Sequence, residues 1–369
     1  MRRSLGSDVI HHIRIHCIHA AASPRTCSTY VVRRMRLDAQ TFDVPMVLED
    51  VADPGEPAGS FVVVEVEACG VCHRDLIDRG GGVPFMTLPM TLGHEAAGRV
   101  IAVGQDVTMW QVGDRVATIH RDSCGECEQC QLGEVSLCSS GGFHVLGIMA
   151  DGGYATHLNV PERALYRVPD DMSAAEAAIL NCTYGTAFRG LGAGGCGPGK
   201  TVVITGASGG VGSAGIEVAS RMGARAIAVI RDESRADYVR ELGADEVVVD
   251  PGDGFHKAPA VANADMVLDC VGEPTLNSAL RSVRLGGAVV FIGNITQQRL
   301  SLNVGLVIVK ALRIIGSSGA SPQDMADLIE LRGDRPFSIA VEEVPLEMAE
   351  DAHRRLRQGG VPGRLVLRP

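Results

Sequence analysis

Apolar positions along this chain follow two different rhythms. From Met35 to about Tyr184 they fall in short runs broken by glycine. Residues 61–67 read Phe-Val-Val-Val-Glu-Val-Glu, β-branched with a partial period of two, and predict a strand. Residues 100–103 and 115–119 predict two more, set among Gly98, Gly104 and Gly113. Many short strands joined at glycines imply a barrel-like, all-β domain.

Near residue 200 the rhythm changes. The apolar run 201–205 leads into a glycine-rich turn, and 211–222 then has helical spacing that stops at Gly223. The alternation repeats, with strand 226–230, helix 233–242 ended by Gly243, and strands 246–249 and 266–270. Helix 274–284, with Pro274 in its first turn, and strands 288–292 and 312–315 follow. Strands alternating with helices predict a doubly wound parallel sheet, so the fold class is α/β. After Ser321-Pro322 come a helix, a break at Pro336, a second short helix and a closing strand at 364–367. This last segment is expected to return to the first domain. The domains are therefore drawn as 35–185 completed by 322–369, with 186–321 between them.

Residues 1–34 fit neither rhythm. They hold six arginines against Asp8, include His11, His12, His16 and His19, and show no amphipathic period. Three readings compete: translation starting at Met35, an arginine-rich, acid-poor transit segment, and a histidine metal tail. The first is preferred, and the segment is expected to be a disordered leader.

Length and composition narrow the function class. The 369 residues suffice for two ordinary domains, and 46% hydrophobic content supplies two cores. The formal charge is −10, and near −15 without the leader, which argues against a nucleic-acid partner. No run approaches the roughly 20 apolar residues a bilayer requires, so no membrane partner is expected and the location is read as cytoplasmic. Of eleven cysteines, four crowd into fifteen residues, which favours metal over cystine in a chain without a secretory signal.

That cluster is Cys124-x2-Cys127-x2-Cys130-x7-Cys138, four thiols in one loop that can wrap a tetrahedral structural zinc. Four incidental thiols, or two disulfides, is the bland alternative. A second set begins with Cys72-His73-Arg74-Asp75 and continues at Gly93-His94-Glu95. Cys72 and His94 are suitable zinc ligands but too few, and Cys182 is the candidate third. Two thiolates and one imidazole with an open fourth position make a catalytic zinc set. Asp75 would receive the other His94 N–H and fix its tautomer, and Glu95 would stand beside the metal as an alternate ligand. Taken singly, a buried His or Cys is more often a core residue.

The third signal is Gly206-Ala207-Ser208-Gly209-Gly210-Val211-Gly212, directly after the 201–205 strand. In a strand–turn–helix context such glycines let the backbone approach a pyrophosphate at a helix N-terminus. At the end of the next strand an acid would favour NAD(H), but Arg231 stands there with Asp232 after it and Arg235 close by. A cation suits a 2′-phosphate, so NADP(H) is favoured over NAD(H), unless Arg231 is only a solvated loop residue.

In this order, the motifs resemble the zinc-containing alcohol dehydrogenase family of the medium-chain dehydrogenase/reductase superfamily, over about Met35 to Pro369. The resemblance implies a GroES-like catalytic domain, a Rossmann cofactor domain, two Zn2+ per chain and a homodimer or homotetramer. It places His73 against the cofactor pyrophosphate and Thr186 behind the nicotinamide, with Val271 and Gly293 among the cofactor residues. Arg74 departs from the pattern. Alcohol-oxidising members carry Ser or Thr there to start a proton relay, and Ile77 lacks the histidine that continues it. Cys-x-Arg-Asp-Leu, the glycine loop, Asp269-Cys270-Val271-Gly272-Glu273-Pro274-Thr275, Gly286-Gly287 and Gly293-Asn294 resemble the acryloyl-CoA reductase branch instead. The expected function is hydride transfer between NAD(P)(H) and an alcohol, aldehyde or ketone, with an enoyl-thioester reductase as the alternative. A non-catalytic sensor on this scaffold would sooner have lost a ligand, and the cysteine loop disfavours a zinc-free quinone reductase relative.

Overall fold

The computed structural model describes residues 31–53, 55–139, 145–295 and 298–369. The β-rich half comes first. Its strands are β1 (Val31–Leu37), β2 (Val47–Ala52), β3 (Phe61–Val71), β4 (Met90–Thr91), β5 (Glu95–Val103), β6 (Arg115–Thr118), β7 (His157–Pro161) and β8 (Leu165–Arg167). β2, β1 and β4 form a small sheet, while β3 pairs antiparallel with both β5 and β7 in a larger one. The alternation in β3 explains the inner face: Val62, Val64 and Val66 pack with Val100, Val116, Leu158 and Leu367 in one core.

Two expectations need correction here. The leader boundary at residue 34 is too late, because Val31–Arg34 already pair with Ala52–Glu49 across β1 and β2. Residues 1–30, with the rest of the leader reading, lie outside the described residues. Strand β3 also runs four residues past the expected 61–67 to reach Val71. Gly70 lies in that extension, where a Cβ would overlap the Glu95 carboxylate.

Short helices connect the strands. α1 (His73–Arg79) follows β3, α2 (Glu128–Gln131) lies in the cysteine loop, and α3 (Ala174–Ile179) leads to α4 (Thr186–Gly194) through a π-helical stretch, Leu180–Gly185.

The second half alternates β9 (Thr201–Ile204), α5 (Gly210–Arg221), β10 (Arg225–Ile230), α6 (Ala236–Glu241), β11 (Glu246–Val249), β12 (Ala264–Asp269), α7 (Leu276–Ser282), β13 (Val283–Phe291), α8 (Val304–Val309) and β14 (Arg313–Gly316). All six strands are parallel, in the order β11-β10-β9-β12-β13-β14. Helices cover both faces, so alternate residues enter different cores: Val202 and Ile204 one, Val203 the other. That double burial is why these strands read as unbroken apolar runs. The order reverses between β9 and β12, which opens a crevice at their C-terminal ends.

The chain then returns through α9 (Pro322–Arg332), β15 (Val341–Pro345), α10 (Ala349–Gln358) and β16 (Arg364–Arg368). β16 pairs antiparallel with β3 and parallel with β15, a strand not expected from the sequence. Buried polar contacts clamp this crossover. Glu217 of α5 accepts from Tyr184 Oη at 2.7 Å and from Ser338 N at 3.0 Å, and Arg332 pairs with Glu176 at 2.7 Å. No helix among the described residues is long and apolar enough to cross a membrane.

Candidate active site and metal centres

β3 ends where α1 begins, and Cys72 is the junction. Its N–H donates to Asp75 Oδ2 at 2.8 Å, so Asp75 caps the first turn of the helix that carries it. The other oxygen, Oδ1, lies 3.0 Å from His94 Nδ1. His94 precedes β5, behind Gly93 at φ 97°, a left-handed conformation that favours glycine. A Cβ on Gly93 would also overlap the Tyr154 ring. Cys182 arrives from the π-helical stretch, whose extra residue per turn widens the helix, a feature frequent at functional sites.

These segments meet in one buried cluster. Ligand atoms of Cys72, His94, Glu95 and Cys182 all lie within 4.8 Å of one another, and the two sulfurs are 3.9 Å apart. His94 Nε2 is buried and makes no hydrogen bond among the described residues. The Glu95 carboxylate faces the Arg364 guanidinium in a buried ion pair.

Electrostatics fit a cation-binding pocket. Burial acts to raise the Asp75 pKa, but the charge and hydrogen bond of His94 outweigh it and hold the carboxyl below its usual value. Burial would depress His94, yet Asp75 and Cys72 push it up to about 10 in the metal-free protein. Burial lifts Glu95 to about 8 despite Arg364. The hydrogen bond from Cys182 and the charge of Arg364 favour the Cys72 thiolate, which delays ionisation of Cys182.

Arg74 sits one turn away. Its Nε bonds Asp78 Oδ2 at 3.1 Å, while Nη2 is buried without a hydrogen-bond partner among the described residues. Beyond His94 stands His120, ring to ring at 5.9 Å, with Nδ1 3.4 Å from Asn181 Oδ1. Burial, and then the charges of His94 and Arg74, drop His120 to about 3, so it is neutral.

The cysteine loop gathers on itself. Cys124, Cys127, Cys130 and Cys138 place their sulfurs within 4.8 Å of one another, with Cys124 to Cys138 at 3.6 Å. The Cys127 N–H points at Cys124 Sγ at 3.2 Å and the Cys124 N–H at Cys138 Sγ at 3.4 Å, donors that suit thiolates. Glu134, inside this loop, pairs with Arg189 of α4, which also holds Asp324 at 2.8 Å.

The glycine loop occupies the crevice between the halves. Gly206 has φ 58°, and a Cβ on Gly212 would overlap the Gly206 carbonyl, so α5 can start close against β9. Ser208 and Gly209 form the turn, where Gly209 N–H donates to the Gly206 carbonyl at 3.0 Å, and Gly210 and Val211 open the helix. Arg231 is exposed at the end of β10, and Arg235 donates to the Gly360 carbonyl at 2.6 Å. Val271 and Gly293 lie just beyond β12 and β13, and Asp269 accepts from Val271 N at 2.9 Å and Gly272 N at 2.7 Å. His73 and Thr186 are half-buried, at the N-termini of α1 and α4.

Sequence reasoning missed several groups that complete the site: Arg364, Tyr154, His353, His120 and Asn181. Tyr154 Oη lies 3.0 Å from Asp75 Oδ2 and 3.1 Å from His353 Nε2.

With that geometry in hand, comparison with known proteins is informative. Residues 59–170 match the alcohol dehydrogenase GroES-like domain, and 210–332 match the zinc-binding dehydrogenase model. The chain is 33% identical to an acryloyl-coenzyme A reductase of Sulfurisphaera tokodaii, covering 87% of this chain and 96% of that one. It is 31% identical to an alcohol dehydrogenase of Geobacillus stearothermophilus, covering 89% and 98%. Its fold superposes on the crystal structure of AibC with a TM-score of 0.87 at 38% identity, covering 95% and 99%.

Proposed function

The chain belongs to the zinc-binding dehydrogenases of the medium-chain dehydrogenase/reductase superfamily, and from that premise we propose that it moves hydride between NADP(H) and an aldehyde, ketone or alcohol. That it is an oxidoreductase of this kind follows from the family; the residue roles, the cofactor preference and the substrate are our reading.

One observation carries it. His94 Nε2 is buried, unbonded and aimed among two thiols and a carboxylate, while Nδ1 is taken by Asp75. A buried polar atom left without a partner is costly, and a metal resolves the cost. Cys72, His94 and Cys182 would hold the catalytic zinc with a fourth position open, and Cys124, Cys127, Cys130 and Cys138 the structural one. When bound, the zinc supplies a Lewis acid for the substrate oxygen and the nicotinamide the hydride.

The chain's own residues do the rest. Asp75 accepts a hydrogen bond from His94 Nδ1–H and so leaves the lone pair on Nε2. Arg364 holds the Glu95 carboxylate beside the ligands. The glycine loop and α5 N-terminus receive the pyrophosphate with His73, while Thr186, Val271 and Gly293 flank the nicotinamide. Arg231 and Arg235 favour a 2′-phosphate. Arg74 has no acceptor, so it cannot take a proton from an alcohol.

Arg74 also supports a second reading, an enoyl-thioester reductase. Its Nη2 is a buried donor without a protein partner, placed to hold an anionic or carbonyl group of a larger substrate. Six of the described cysteines gather in the two candidate metal sites, a use of thiols that supports reading the location as cytoplasmic. The free edge of β14, with exposed Ile308, Val309 and Ile314 nearby, suits a homodimer or homotetramer.

The test is NADPH and NADH consumption by zinc-replete protein against aldehydes and ketones on one side and acryloyl- or crotonyl-CoA on the other. Turnover of aldehydes or ketones alone supports the first reading, and of thioesters alone the second. Undiminished turnover by a zinc-free Cys182→Ala protein would refute the metal role.

A further inference from the structure

A buried chain of hydrogen bonds leaves the metal-ligand cluster and ends in α10. Asp75 Oδ1 meets His94 Nδ1 at 3.0 Å, while Oδ2 accepts the Cys72 N–H at 2.8 Å and faces Tyr154 Oη at 3.0 Å. Tyr154 Oη is then 3.1 Å from His353 Nε2. Tyr154 and His353 are both fully buried.

The proton positions follow from this geometry. Oδ2 already serves as the acceptor for a backbone N–H, so the Tyr154 hydroxyl donates to it. A hydroxyl has one proton. Its lone pair must therefore face His353, and His353 Nε2 carries the hydrogen. The remaining nitrogen, His353 Nδ1, has no protein partner, as the neutral tautomer requires least. The Tyr154 ring packs directly on Gly93, where a Cβ would overlap it.

We propose that Tyr154 and His353 are positioning residues for the metal site. His353 aims the Tyr154 hydroxyl, Tyr154 fixes the plane of the Asp75 carboxylate, and Asp75 holds the His94 ring with Nε2 toward the two thiols. This rests on the reading that Cys72, His94 and Cys182 bind zinc. Without Tyr154 the Asp75 Oδ2 keeps only the Cys72 N–H, and the carboxylate can rotate out of the His94 plane. Outer partners of metal-bound imidazoles govern metal affinity by about 10- to 100-fold.

The experiment is chelator-driven zinc release from the full-length, zinc-loaded protein and its Tyr154→Phe, His353→Leu and His353→Gln variants. Tyr154→Phe and His353→Leu are expected to lose one of the two zinc ions about tenfold faster, with release of the other unchanged. The cysteine-loop zinc thus serves as an internal control. His353→Gln keeps an N–H for Tyr154 and should stay within about twofold of the parent. Equal acceleration at both sites would mean general loosening and would overturn the proposal, as would no acceleration. Should Tyr154→Phe fail to fold, the contrast between His353→Leu and His353→Gln decides. If the parent protein holds the same zinc content as Cys182→Ala, the failure lies in the metal reading itself.

Discussion

Arg364 pairs with Glu95 inside the site, and the same side chain lies where a Cβ on Gly210 would stand. One residue of the last strand thus touches both the candidate metal cluster and the glycine loop. Its neighbour Gly363 bridges to Gly209 at the same place. Closing the chain back onto β3 is therefore part of building the active site.

Arg364→Leu should leave the Glu95 carboxylate buried and unpaired. Urea denaturation at pH 9, where Glu95 with its pKa of about 8 is ionised in the parent, is expected to show a loss of about 3–5 kcal/mol, the usual cost of stranding one partner of a buried pair. Adding Glu95→Gln removes the stranded charge and should recover at least about 1 kcal/mol of that loss. No recovery in the double variant would mean that Arg364 acts through packing alone.

Cys127→Ala opens the four-sulfur cluster. Metal analysis should find one zinc fewer per chain, and thermal unfolding should shift down by about 5–10 °C, equivalent to roughly 2–4 kcal/mol. The loop also carries Glu134, which pairs with Arg189 on α4, so part of the loss reaches the cofactor domain. An unchanged zinc content would show that the four thiols do not bind metal.

The side chains that gather in the two candidate metal clusters were legible because such chemistry restricts them to a few residue types at short spacing. Cys124 to Cys138 and the Gly93-His94-Glu95 step need nothing else. The residues that support them were not legible, because the fold brings them from far away. Tyr154, His353 and Arg364 are separated from their partners by 79, 199 and 269 residues, and nothing local marks them. The parallel sheet was readable from its doubly buried strands. β15 was not, since Val341–Pro345 is an exposed edge strand with two glutamates and almost no buried face. β1 was lost to its arginines, three of which pair with acids on the surface.

Cofactor choice can be tested at the end of β10. Arg231→Ala and Arg235→Ala should each raise KM for NADPH about tenfold, or roughly 1.5 kcal/mol per charge-assisted contact, with KM for NADH unchanged. Equal changes for both cofactors would assign these arginines to the loop they hold, since Arg235 also bonds Gly360.

His353 makes stability depend on pH. Burial lowers its pKa from 6.5 to about 4, so between those values the unfolded chain binds a proton that the folded chain refuses. Stability must then fall as pH drops from 6.5 toward 4, and be free of this penalty above 6.5. Between pH 7.5 and 5 the contribution is about 2 kcal/mol. Glutamine does not titrate, so the stability difference between the parent and His353→Gln should shift in favour of the variant by that amount on going from pH 7.5 to 5. Measuring the difference between the two proteins cancels the effects of acid on the thiols, His94 and the carboxylates they share. A pH-independent difference would mean that the folded chain protonates His353 as readily as the unfolded one, so that the imidazole is charged at pH 5. Its Nδ1 would then carry a proton, and the hydrogen-bond direction through Tyr154 would no longer be determined.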